Sequence, residues 1–425
     1  MLNGFRHALV DAVPTDQLRF CVTVPVRNEE TLLPRALHAL SEQKDSAGRE
    51  LPAEQYEVIL LINNSQDRSR QIAEHFLANH PRFNLHIVER NFADREAHIG
   101  HVRRLLMDEG CTRLGAVGNP NSLILTTDSD SYVAPNWIVK NYEEVAAGAE
   151  AVGGRILLRP AELAKLPTLT RALYEHDELY RHLIAWLETE CDPESHDSWP
   201  RHHQQFGASL AVTPRAYKLV GGLPPHRFLE DIAFYQALIK RDIPFRHSNK
   251  VRVFTSARLS GRSNVGLSWQ LREWENNGED ESRLMVESAA FLEYLFNSRH
   301  RLRTVWKTVH GHEPVPDASI AAIALMIGIK PDLLRFQLNS APYFGLLLEQ
   351  IDFYETCRKS WPDDRRLAPL KNAVREMLSK FKRTRRTQLV TAMSSTLRGS
   401  GTLDSKRYDL QECPRAESLV YSPSS

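Results

Sequence analysis

The sequence predicts an α/β fold built on a parallel sheet covered on both faces, followed by a helical extension. Three observations carry this. Five stretches rich in β-branched and apolar residues alternate with helical periodicity up to Leu158, at intervals of roughly 25 to 40 residues, which implies crossover connections between parallel strands. From Gly266 to Thr391 the periodicity is helical throughout. Three polar loops, Arg27–Glu30, Asn63–Asp67 and Asp128–Asp130, close predicted strands, and ligands of such sheets bind beyond the carboxyl ends of the strands.

The elements follow in order. Arg19–Val26 (RFCVTVPV) reads as a strand with Pro25 at its end. Leu32, Leu33, Ala36, Leu37 and Leu40 recur at helical spacing after Thr31. Strands are expected at Tyr56–Ile62, Phe83–Val88, Leu123–Thr127 and Ala151–Leu158, and helices at Ser69–Asn79, Ile99–Asp108 and Pro135–Ala147. Glu162–Glu190 reads as one charged helix, Phe206–Val212 as a strand and Pro214–Leu219 as a short helix. Gly221–Pro225 is a rigid turn before Glu230-Asp231 and the helix Ile232–Ile239. Two short strands, Ile243–His247 and Val251–Thr255, precede an arginine-bearing loop, Ala257–Asn264. The expected organisation is an N-terminal segment (1–18), a sheet unit (19–265, with halves 19–158 and 159–265), a helical region (266–393) and a disordered Ser/Thr/Gly-rich tail (394–425).

Composition narrows the function. The 425 residues are 42% hydrophobic and 25% charged, an ordinary globular balance. A net charge of +1 is no electrostatic footprint for nucleic acid, which is excluded as the default partner. Five scattered cysteines without a Cys-x-x-Cys pair suggest reduced thiols in a cytoplasmic protein. Met1–Gln17 lacks the pattern of a signal peptide. The longest apolar run, Ala318–Ile329, is too short for the ~20 residues of a spanning helix, which leaves a core helix or a peripheral membrane contact. Lys380–Arg386 holds five basic residues, a solvated helix end or a surface for anionic partners.

Asp128-Ser129-Asp130 is the chemical centre of the chain. On an extended backbone alternate side chains point the same way, so the two carboxylates can converge on one hard cation such as Mg²⁺ or Mn²⁺ bridging phosphates. Taken alone, Asp-x-Asp is more often a solvated turn after a strand, because the tripeptide is common by chance. Arg258 and Arg262, after the last strand, are placed to reach a diphosphate or to pair with surface carboxylates. His196, His202 and His203 share a polar loop, Cys191–Gln205, without metal-ligand spacing, and are expected to be exposed.

In order and spacing, four motifs together resemble family 2 of the nucleotide-sugar glycosyltransferases. They are Val24-Pro25-Val26-Arg27-Asn28-Glu29, Val58–Asp67, Thr127-Asp128-Ser129-Asp130, and Gly221-Gly222-Leu223 followed by Glu230-Asp231. The resemblance covers Arg19–Arg262. It implies a GT-A fold, a Rossmann-like mixed, mostly parallel sheet flanked by helices. It also implies a hexosyltransferase-like enzyme using a UDP- or GDP-linked sugar, with Asp130 as direct ligand of Mn²⁺ or Mg²⁺, Asp128 beside it nearer the ribose, and Asp231 as general base. Donor contacts would come from Pro25, Arg27, Asn28, Glu29, Asn63, Asn64, Asp67, Asp128, Arg258 and Arg262, and His98, Arg103 and Arg104 are further candidates. Gly207, Ala208 and Glu230 belong to the acceptor side, and the acceptor itself is a sugar, lipid or protein. The second loop departs from the family by carrying amides, Asn63-Asn64, where relatives carry acids, which opens the identity of the base. Gln270-Leu271-Arg272-Glu273-Trp274 misses the processive signature by one residue. A nucleotidyltransferase and a silent sugar-nucleotide-binding scaffold are the competing readings. The first lacks its glycine-rich phosphate loop here.

Overall fold

The computed structural model describes residues 8–259, 266–277 and 284–396. Eight strands form the main sheet: β1 (Phe20–Val26), β2 (Tyr56–Asn63), β3 (Leu85–Arg90), β4 (Leu123–Thr126), β5 (Tyr132–Val133), β6 (Ala151–Leu158), β7 (Leu210–Val212) and β8 (Phe245–Thr255). Their spatial order is β3-β2-β1-β4-β7-β6-β8-β5. β1 runs parallel to β2 and β4, β2 to β3, and β6 to β8, whereas β7 is antiparallel between β4 and β6. The fold is therefore the expected mixed, largely parallel sheet flanked by helices.

Alternation along the strands explains the two-sided cover. Val22, Val24, Val58, Leu60 and Ile62 pack with α1 (Leu33–Ser41), α2 (Ser69–Asn79) and α4 (Trp137–Ala146). Cys21, Ile59 and Leu61 point the other way, into α3 (Ile99–Val117), α7 (Pro214–Leu219) and α8 (Glu230–Ile239). Beneath the sheet a buried ion pair joins β2 to α3, Glu57 to Arg113.

Differences from the sequence reading have local causes. The helix expected at 162–190 is two, α5 (Pro160–Leu163) and α6 (Thr168–Cys191), because Pro167 ends the first pattern and opens the second. The two strands expected at 243–255 are one, β8, whose pairing with β6 shifts register between Gly154 and Arg155, so the expected break falls on a bulge. Phe206–Ser209 is a turn, not strand, since its backbone groups are engaged by side chains of the candidate site described below.

A second core lies around α6. It combines Leu183, Trp186 and Leu187 with α10 (Ala289–His310), α11 (Asp317–Ile327), α12 (Pro331–Ser340), α13 (Phe344–Gln350), α14 (Phe353–Ser360) and α15 (Leu370–Thr396). A short helix, α9 (Leu267–Asn277), precedes these, and β9 (Met285–Glu287) pairs with β10 (Leu367–Pro369). The start of α13 abuts the end of α8: Asp242 accepts bonds from the Phe344 and Gly345 N–H groups at 2.6 and 2.8 Å. A Cβ on Gly345 would lie 2.0 Å from the Ile239 carbonyl oxygen, so only glycine fits. The tail expected to be disordered lies, beyond Thr396, outside the described residues.

The polar loop after α6 is not the exposed histidine loop expected. His202 is fully buried and bonded to the Gly153 carbonyl, and His203 is also mostly buried beside Glu178. Burial first, then neighbouring positive groups, holds both imidazoles well below their usual pKa. The reason is long-range. Asp192 is gripped by Arg299 (2.6 Å) and Arg303 (2.9 Å) of α10, Glu188 by Arg299 and Arg201, and Asp197 by Arg201, Arg246 and His247. Among the described residues no helix is long and apolar enough to cross a membrane, and Ile320, Ile323, Ala324 and Ile327 of the longest apolar run are core.

Candidate active site

The ends of β1, β2 and β4 and the turn before β7 meet along one edge of the sheet, and the predicted residues gather there. Two loops interlock first. The Asn28 side chain accepts from the Gln66 N–H at 2.8 Å, while the Asn28 N–H donates to Ser65 Oγ. Asp67 accepts from the Glu30 N–H and from Ser69. Asn28 and Asn64 both have left-handed φ, 50° and 48°, which asparagine tolerates better than most residues. Asn64 also brackets Phe92 by donating to its carbonyl and accepting from its N–H. Asn64 and Asp67 thus hold the loop geometry at the ends of β1 and β2. Asn63 is buried at the end of β2, Pro25 lies within β1, and Arg27 donates to the Ala97 carbonyl.

Asp128 and Asp130 do not lie on extended backbone. β4 ends at Thr126, and the Ser131 N–H closes a turn onto the Asp128 carbonyl at 3.1 Å. The alternation expected of them fails, but the turn keeps the carboxylates close. Burial and the neighbouring Asp128 push the Asp130 carboxyl above its ordinary value, with Arg258 opposing. Arg258 reaches from the segment after β8 to bind Asp130 at 2.8 Å and Glu29 at 2.9 and 3.2 Å, closing the site over β1. Arg262 lies outside the described residues.

On the other flank, α8 begins at Glu230 after Leu229, whose φ of 56° is a left-handed conformation costing a branched residue about 1 kcal/mol. Such strain gathers at functional sites. Asp231 Oδ2 accepts from the Gly207 N–H at 2.9 Å and its Oδ1 from the Ile232 N–H, which fixes the carboxylate while leaving it partly exposed. The Ala208 carbonyl accepts from Thr127 Oγ1 at 2.8 Å, so the turn before β7 is tied to the residue after β4. Glu230 is buried; desolvation raises its carboxyl pKa, and Arg103 only partly offsets this.

Arg103, a further candidate for nucleotide contact with His98 and Arg104, has its guanidinium buried between Asp128 (2.8 Å) and Glu230 (3.1 Å). His98 caps α3, and Arg104 bonds Asp108 and the Leu223 carbonyl. The only available signal was an arginine on a helix face that also carries Val102, Leu106 and Met107 in the core. A cleft of about 790 Å³ opens beside Asn28, Glu29 and Arg258 and runs to Arg159 and Lys165.

Residues 21–97 match the family model described as Glycosyl transferase family 2, a stretch running from β1 to the loop before α3. No curated protein sequence matches the chain. Distant solved structures resemble it. A mannosyltransferase from Pyrobaculum calidifontis, in complex with GDP-Man and Mn²⁺, has 14% identity over 82% of this chain and 89% of that one, at a TM-score of 0.40. TarS of S. aureus (1–349) has 13% identity over 81% and 92%, at 0.38. Glucosyl-3-phosphoglycerate synthase from Mycobacterium tuberculosis, with Mn²⁺, UDP-glucose and phosphoglyceric acid, has 15% identity over 64% and 85%, at 0.34.

Proposed function

We propose that this chain, which carries a family 2 glycosyltransferase segment, is a metal-dependent, inverting enzyme that moves a sugar from a UDP- or GDP-linked donor to an acceptor hydroxyl. One observation supports this most directly. Asp128, Asp130 and Asp231 lie in one site at the strand ends, with Arg103 linking Asp128 to the first turn of α8.

The donor set fits a hard dication. Two neighbouring carboxylates, Asp128 and Asp130, supply oxygen ligands, and among the described residues no group of three or more His, Cys, Asp and Glu could hold a metal alone. An ion held there would complete its shell with phosphate oxygens and water, as Mg²⁺ and Mn²⁺ do in phosphate sites. When bound, it supplies Lewis-acid neutralisation of the leaving diphosphate. Arg258, held by Glu29 and Asp130, adds a positive charge on the same side.

Asp231 takes the proton. Its carboxylate sits at the start of α8, oriented by the Gly207 and Ile232 N–H groups, and it remains open to an acceptor. As the acceptor oxygen bonds to the anomeric carbon, the bond from that carbon to the diphosphate oxygen breaks. The electron pair leaves with the diphosphate, and the hydroxyl proton passes to Asp231. One displacement inverts the anomeric centre. On this reading the enzyme works in the cytoplasm, where nucleotide sugars are made, free or peripheral to the inner membrane face.

The test has two stages. Thermal stability against UDP, GDP and their sugars, with and without Mn²⁺, should show a metal-dependent rise with one base, lost in Asp130→Ala. The product's anomeric configuration by NMR should be opposite to the donor's, and Asp231→Asn should keep donor binding while losing turnover by about 10³-fold. A retained configuration, or turnover unchanged in Asp231→Asn, would overturn the mechanism.

A further inference from the structure

Arg103 is a buried charge at the site to which the mechanism above gives no chemical step. The side chain is 3% exposed, and its three nitrogens are all engaged. Nε donates to Glu230 at 3.1 Å and Nη2 to Asp128 at 2.8 Å. Nη1 donates both to Thr126 Oγ1 at 2.6 Å and to the Gly207 carbonyl at 2.9 Å. The four partners come from β4, the turn after it, the turn before β7 and the first residue of α8. Two of them lead straight to the base: Glu230 precedes Asp231, and the Gly207 N–H holds Asp231 Oδ2.

We infer that Arg103 is a positioning residue that fixes the donor-side carboxylate Asp128 at a set distance from the base Asp231, so that the anomeric carbon and the acceptor hydroxyl meet in line. This rests on the transferase reading. A guanidinium suits the task because its planar fork spreads rigid donors over several acceptors, whereas an ammonium is a single point on a flexible stem. Gly207 supports the assignment independently. A Cβ there would fall 2.6 Å from Arg103 Cζ and 2.8 and 2.9 Å from its terminal nitrogens, so the glycine lets the guanidinium reach the carbonyl. Gly207→Ala therefore displaces Arg103 without removing any hydrogen-bonding group.

The experiment compares the full chain with Arg103→Lys, Gly207→Ala and the double variant. Calorimetry gives the affinity for UDP and GDP with Mn²⁺, and steady-state release of nucleoside diphosphate from the donor sugar gives kcat and KM. Expected are diphosphate affinity within about 3-fold of wild type and kcat lowered about 10²-fold in each single variant, the scale of a ~1 Å misplacement. The double variant should be no worse than Arg103→Lys, since both act on one guanidinium. Unchanged kcat in both single variants, a loss confined to donor KM, or failure of both to fold by circular dichroism would overturn the inference alone. Wild type that neither binds a nucleoside diphosphate nor releases one would instead refute the transferase reading, and this inference with it.

Discussion

Replacing Glu57 by Gln should remove about 3 kcal/mol of stability at neutral pH, and less in acid. The carboxylate is 1% exposed and gripped by Arg113 through two bonds of 2.7 Å, with His86 at 3.2 Å. Burial alone would raise its pKa, but bonds to Arg113 and His86 outweigh it and lower the value from 4.5 to about 2. The folded value lies below the unfolded one, so the stabilisation is present above pH 4.5 and is lost as pH falls through about 2. At 1.36 kcal/mol per unit the shift corresponds to about 3 kcal/mol, consistent with the ~3–5 kcal/mol for breaking a buried pair. Arg113 would keep its bond to the Ala12 carbonyl but lose its counter-charge. Urea unfolding of wild type and Glu57→Gln, followed by tryptophan fluorescence, should show a gap of about 3 kcal/mol near pH 7, narrowing to about 2 kcal/mol near pH 3.5. The difference between the two proteins cancels the titration of every other carboxylate. A gap under about 1 kcal/mol at neutral pH, or one that does not change with pH, would refute the reasoning.

Other expectations test different parts of the molecule. Gly345→Ala forces a Cβ against the Ile239 carbonyl and should cost about 1–3 kcal/mol, read as a lower melting temperature; an unchanged midpoint would show that α13 yields freely. Arg299→Met strips counter-charge from Asp192 and Glu188 and should destabilise by about 3 kcal/mol in urea, whereas a loss under about 1 kcal/mol would mean water replaces it. Burial raises the pKa of Cys21, Cys111, Cys191 and Cys357, the last two to about 11 and about 12. A Cys413→Ser variant should therefore resist a thiol reagent near pH 8 until unfolded, and rapid labelling of the native protein would contradict this.

The sheet was legible because its signals are local. β1 and β2 are continuous apolar runs of the kind buried on both faces, and helices follow each with matching periodicity. The carboxylates were legible by position, at the ends of strands, although the turn at Asp128 and Asp130 was hidden by the assumption of extended backbone. Arg103 was not legible. Its partners lie 23, 25, 104 and 127 residues along the chain, and no periodicity reports such closures. The histidine loop failed for the same reason: Asp192 is neutralised by arginines more than a hundred residues downstream, so a polar stretch became interior. The asparagines were readable as loop residues, but not as ones whose side chains are consumed by the neighbouring loop.

The loop that follows α6 also bears on which parts of this chain could be exchanged. A greasy boundary is indifferent to small slips and accepts a new partner surface so long as volume is kept. Here Asp192 and Asp197 are buried, and their counter-charges are spread over Arg201, Arg299 and Arg303. A recombinant that grafted foreign helices after residue 265 would strand Asp192 in the interior, because its arginines arrive only with α10. The helical region and the sheet are therefore coupled energetically through these buried charges.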